Sequence, residues 1–80
     1  MDTAPDFILL TRLDPSRNMA RFYSLSIEPT LFGDYAVRRA WGRLGTFGQS
    51  RLDVFAEVNA ANEHKRKLTT RKLRRGYALS

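Results

Sequence analysis

The 80-residue chain reads as one α+β domain. Four short segments carry strand patterning, turns bearing glycine or proline separate them, and one helical run fills the last quarter. A domain this small lies near the lower limit for folding without a covalent or metal staple. The chain has no cysteine, so neither a disulfide nor a thiolate metal site supports it, and stability must come from a single core. Five phenylalanines, three tyrosines and one tryptophan, with the aliphatics, supply the material.

Residues 1–5 read as a disordered N-terminus and residues 6–80 as the domain. Residues 7–13 (FILLTRL) are apolar and short, the pattern of a buried strand. Asp14, Pro15, Ser16, Arg17 and Asn18 form a turn, in which proline presets the bend and asparagine accepts a left-handed backbone. Residues 22–28 (FYSLSIE) alternate, with Tyr23, Leu25 and Ile27 on one face and Ser24 and Ser26 on the other: a half-buried strand. Pro29 ends it, and a loop containing Gly33 follows. In the next strand, residues 35–43, Tyr35, Val37, Arg39, Trp41 and Arg43 share a face, opposite the mostly small Ala36, Arg38, Ala40 and Gly42. Residues 44–48 make a glycine-flanked hairpin turn, with Gly45 and Gly48 suited to positive φ. Residues 49–56 form the fourth strand, where Leu52 and Val54 flank Asp53.

The helix opens at Glu57 or Asn59, is favoured by Ala60 and Ala61, and stops at Gly76 after two arginines. Its apolar stripe of Val58, Ala61 and Leu68 is thin and is completed by Lys65 and Lys72. Those lysines lay their methylene stems over apolar surface and lift their ammoniums to water. Such a helix is held by packing against a sheet rather than by its own amphipathicity. Tyr77 and Leu79 return to the sheet edge or close the core.

Charge is distributed unevenly. Residues 1–63 carry seven basic and eight acidic side chains, a net of −1, whereas residues 64–80 carry seven basic and none acidic. The net charge of +6 therefore resides in the last seventeen residues. Cations near a helix C-terminus interact well with the macrodipole, which accounts for three or four of them but not for all seven. A polyanion is the partner this balance suits, nucleic acid ahead of an anionic membrane. The longest apolar run near the start, residues 7–10, makes neither a signal peptide nor a membrane span, so no membrane attachment and a cytoplasmic location are expected.

The most specific stretch is WGRLGTFGQ, residues 41–49. A flat aromatic and a planar cation project from one strand face, followed by glycines that let backbone approach a ligand. That combination suits contact with a sugar, base or phosphate. Catalysis has no support: the single His64 lacks a carboxylate pair, no serine lies in a nucleophile elbow, and residues 45–48 lack the phosphate-loop frame. No metal, no cofactor and no enzymatic activity are expected.

Three stretches in order resemble the WGR domain family: Asn18 with Arg21, Phe22 and Tyr23; Trp41, Gly42, Arg43, Leu44, Gly45 and Thr46 with Gly48 and Gln49; and Lys72 through Arg74, Arg75, Gly76 and Tyr77. The resemblance spans nearly the whole chain. It implies a small antiparallel sheet of about four to five strands with one long C-terminal helix packed against it. Such modules occur in poly(ADP-ribose) polymerases, where they contact DNA near a break, and alone in short bacterial proteins, the kind this chain is similar to. By position, Trp41 would pack on a terminal sugar or base, Arg43 would contact nucleic acid or a partner domain, and Lys72 is the family's recurrent lysine. Lys65 and its neighbours depart from the pattern, occupying a stretch where relatives commonly place an aromatic against the sheet. Read together, the residues point to a monomeric nucleic-acid-binding module that prefers DNA to RNA, and DNA ends or distorted structure to sequence. Trp41, Arg43, Arg39, Lys65, Lys72 and Arg75 are its candidate contacts. The alternative is a protein-interaction module that regulates or recruits a separately encoded enzyme.

Overall fold

A computed structural model describes residues 6–80; the expected disordered N-terminus lies outside them. Five antiparallel strands form one sheet in the order β4-β3-β2-β1-β5, and one helix crosses one face of it. The strands are β1 (Asp6–Asp14), β2 (Met19–Pro29), β3 (Tyr35–Arg43), β4 (Gln49–Phe55) and the short β5 (Ala78–Leu79); α1 spans Val58–Arg74. The α+β layout expected from the sequence is the observed one.

The turn chemistry works as its residues require. Pro15–Arg17 is a single 3-10 turn, and Asn18 takes the left-handed conformation at φ 52°, its N–H returning to the Pro15 carbonyl at 3.1 Å. Strand β2 runs further than the alternating segment suggests, because Met19 to Arg21 continue pairing with β1 and Pro29 is tolerated as the last residue. The helix ends in a Schellman turn: the Tyr77 N–H reaches the Lys72 carbonyl at 3.1 Å and the Gly76 N–H that of Leu73 at 3.2 Å, with Gly76 at φ 95°. That turn sends residues 78 and 79 back to pair with Thr11 and Leu10 as the fifth strand.

The face under the helix carries Leu10, Tyr23, Leu25 and Val37, all buried, against Ala61 and Leu68 of α1. Each of the fully buried Leu10, Leu25 and Val37 contributes about 1.5–3 kcal/mol of transfer free energy. The stripe 61–65–68–72 meets the sheet as the spacing predicts, but Val58, at the first helical residue, is 41% exposed. In β4 the register with β3 opposes Asp53 to Val37, so Asp53 faces the helix while Leu52 and Val54 point to the open face and stay exposed.

Candidate nucleic-acid interface

At the end of the sheet where α1 stops, strand pairing aligns Arg12 with Arg21 and Arg21 with Arg43. Like charges opposed in this way destabilise a sheet unless something else meets them. The next row toward the core is Leu10, Tyr23, Trp41 and Gln49, on the same face by alternation. Trp41 stacks on Tyr23 with ring centroids 6.4 Å apart and 30° between planes, while Tyr77 meets Tyr23 edge-on at 6.4 Å. Trp41 is thus half-buried: it closes the core on one side and keeps exposed surface on the other.

Lys72 lies over these rings, its Nζ 4.5 Å from the Tyr23 centroid and 5.3 Å from that of Tyr77. No carboxylate among the described residues pairs with it. Burial, followed by the charges of Arg75, Arg21, Arg39 and Arg71, holds its ammonium below the ordinary value of 10.5. Among the described residues Lys72 thus stands among cations with no internal counter-charge. Two clefts meet at Trp41 and Lys72. One, of about 240 Å³, is also walled by Tyr23, Arg39, Leu68, Arg71 and Arg75; the other, of about 390 Å³, by Arg21, Gly42, Arg43 and Tyr77.

Six of the fourteen basic side chains are in ion pairs among the described residues: Arg17, Arg38, Arg39, Arg51, Lys65 and Arg66. Of the remaining eight, Arg71, Lys72, Arg74 and Arg75 stand at the helix C-terminus, Arg12, Arg21 and Arg43 at the adjoining sheet end, and Lys67 one turn earlier on the helix. Arg43 is steadied there by Asn18, donating to its backbone oxygen at 3.3 Å and to its Oδ1 at 3.5 Å.

Of the six residues singled out from the sequence, Trp41, Arg39, Lys72 and Arg75 line the smaller cleft and Arg43 the larger one. Lys65 is elsewhere. It pairs with Asp6, 59 residues away, on the far half of the helix. Arg39 is partly engaged: its Nε is 3.0 Å from Asp53 Oδ2 but does not aim its hydrogen at it, leaving that buried Nε without a hydrogen bond. Sequence reasoning passed over Arg12, Arg21, Tyr23, Arg71 and Tyr77 as contacts. The aromatic Tyr23 and Tyr77 stood in the family-like stretches, but the arginine row exists only through strand register.

The glycines of the hairpin have a different role from the one expected. A Cβ on Gly48 would fall 2.1 Å from the Trp41 carbonyl oxygen, and one on Gly42 would fall 2.7 Å from the Gly48 Cα. The chain itself, with Phe22 beneath, fills the space that a ligand was expected to approach. The glycines therefore shape the turn that presents Trp41 and Arg43.

The family model for the WGR domain matches residues 7–80. The chain belongs to the WGR domain family. Its Trp41, Gly42 and Arg43 form the name-giving tripeptide at the junction of the two clefts. It is also 47% identical over 77 residues to the uncharacterized protein y4dW of Sinorhizobium fredii (strain NBRC 101917 / NGR234). That alignment covers 96% of this chain and 38% of the relative, so the WGR chain spans well under half the length of the protein it resembles. No helix among the described residues is long and apolar enough to cross a membrane.

Proposed function

We propose that this WGR domain binds nucleic acid without catalysing a reaction, through the unpaired basic end, and prefers DNA ends or distorted duplex to sequence. The observation that carries this reading is the convergence of five cations unpaired among the described residues, Arg21, Arg43, Arg71, Lys72 and Arg75, on the two clefts that flank a half-buried tryptophan. Lys72, Arg43, Arg75 and Arg39 would meet phosphates, which supplies affinity without sequence information. Trp41 would stack on a sugar or base through the surface not covered by Tyr23, which requires an interrupted or terminal base stack. Lys65, paired with Asp6, belongs to this set only if that pair opens.

The single tryptophan reports on the test. Titration with ended duplex should change Trp41 emission, and with about five phosphates neutralised log K should fall against log salt with a slope of roughly −4.5. A closed circular duplex and a matched RNA should bind more weakly. A signal indifferent to salt, or none with any nucleic acid, sinks the proposal.

A second reading, recruitment of a separately encoded protein, is favoured by the sheet face away from the helix. Phe7, Leu13, Leu52 and Val54 are each about half or more exposed there. Capture of a defined partner enzyme after nuclease treatment, lost on Leu52→Asp but retained on Lys72→Glu, would support it.

A further inference from the structure

Phe47 has no role in the fold. It is 100% exposed at the tip of the turn between β3 and β4, where glycine positions are required but an aromatic is not. The tip is nevertheless firmly built. The Thr46 N–H and hydroxyl both donate to the Arg43 carbonyl, at 3.1 and 2.7 Å, and the Leu44 N–H donates to the Ala20 carbonyl at 2.9 Å. Gly42 and Gly48 lock together beneath it. A fully solvated phenyl ring is thus held on a rigid hairpin whose flanking strand ends in Arg43, within the end of the molecule that gathers the unpaired cations.

We infer that Phe47 is a second stacking residue, which inserts against an unstacked base at an end or distortion of the nucleic acid held by the basic end. This rests on the nucleic-acid reading above. The cations draw in a polyanion, and the only apolar surfaces such a polymer offers are the faces of its bases. A continuous duplex hides those faces, so Phe47 gains a partner only where stacking is interrupted. It therefore acts on discrimination between structures, while the cations act on overall affinity. Its ring differs from that of Trp41, which already gives one side to Tyr23. Leu31 and Phe32, almost equally exposed, occupy the turn at the opposite end of the sheet, away from the arginine row, and share none of this chemistry. A lone phenyl also offers a lipid bilayer little apolar area, which favours a base as its partner.

The test compares wild type, Phe47→Ala and Phe47→Trp on a blunt-ended duplex carrying a fluorescent base analogue at its terminus and on a relaxed, covalently closed circular duplex without ends or loops. Wild type should change the analogue's emission on binding. Phe47→Ala should lose that change and about tenfold in affinity for the ended duplex, since stacking on one base has that order of worth. Its affinity for the closed circle, salt slope and melting temperature should match wild type, and Phe47→Trp should restore end preference. Equal affinities of Phe47→Ala and wild type on both duplexes would overturn the inference, as would an equal loss on both. Loss of binding to phosphatidylserine–phosphatidylcholine vesicles with DNA binding intact would overturn it in favour of a membrane contact. If wild-type Trp41 emission responds to no nucleic acid, the underlying reading fails and takes this one with it; if it responds but Phe47→Ala binds both duplexes as wild type does, only the role of Phe47 falls.

Discussion

The two halves of the helix face the same sheet yet treat charge in opposite ways. Along the first half, acids meet bases: Asp6 with Lys65, Glu63 with Arg66, and Asp53 with Arg39, Arg51 and His64. Glu28 with Arg38 adds a pair on the open face of the sheet. Along the second half, Lys67, Arg71, Lys72, Arg74 and Arg75 stand beside the row of Arg12, Arg21 and Arg43, and the one nearby acid, Asp14, contacts Arg17. Charges neutralised within the fold stabilise it and are spent there. Charges held together without partners strain the free protein, and under the proposed nucleic-acid reading bound phosphates would relieve them, a trade of stability for function.

The sharpest way to break this contrast is charge reversal on each half. The double variant Lys72→Glu with Arg75→Glu should weaken DNA binding on the order of a hundredfold and make the salt slope shallower by roughly 1.8, two contacts at about 0.9 each. Arg38→Glu with Arg66→Glu should change affinity little, beyond the shift in net charge, while lowering the melting temperature. Comparable losses from both pairs would mean that the basic end is no distinct site.

A second comparison concerns stability. Gly48→Ala strikes only the basic end, where the backbone is at φ 68° and the new methyl meets the Trp41 carbonyl. It should cost about 2–4 kcal/mol and lower the melting temperature by roughly 10–20 °C. Gly33→Ala, at the other end, meets no atom within 4 Å and should cost only the strain of its φ of 86°, about 1–2 kcal/mol.

The halves should also differ in their response to pH. Hydrogen bonds from Arg38 and Arg66 hold the Glu28 and Glu63 carboxyls below their usual 4.5. Burial pushes the Asp53 carboxyl up, but His64, Arg39 and Arg51 together outweigh it and hold it below 3.8. Each depressed carboxyl contributes stability that is present above its unfolded value and is lost as pH falls through the folded one. Amide exchange in acid should therefore accelerate first around β3, β4 and the first turns of α1, with the Schellman turn less affected. The smallest effect is at the opposite extreme. The depressed Lys72 loses its charge before 10.5, so DNA affinity should begin to decline below that pH, and Lys72→Arg should remove the decline.

Local patterning made most of the fold legible. Alternation in residues 22–28, the Asp-Pro turn, the glycines at 45 and 48 and the stop at Gly76 all act through near neighbours, and each works as its residue type demands. Even the compromised stripe 61–65–68–72 is visible as a helical period. Val58 lies outside the packed stripe, since periodicity does not say where the sheet beneath a helix runs out. Part of the candidate site was legible too: Trp41, Arg43, Lys72 and Arg75 stand in stretches whose residue types suggest contact with an anion or a base. The role of the glycines was not, since a missing Cβ looks the same in sequence whether a ligand or the chain itself fills the space.

By itself, the sequence determined the four long strands, the turns, the helix, the excess of basic residues near its end and membership of the WGR family, because these depend on local geometry or on motifs contiguous in the chain. Tertiary structure alone decided which cations remain available. Lys65 is neutralised by a carboxylate 59 residues away, Arg39 is drawn to Asp53 across neighbouring strands, and Arg12, Arg21 and Arg43 become one row only when three strands fall into register. Electrostatic partnership depends on distance in space, and in a sheet that distance is set by register.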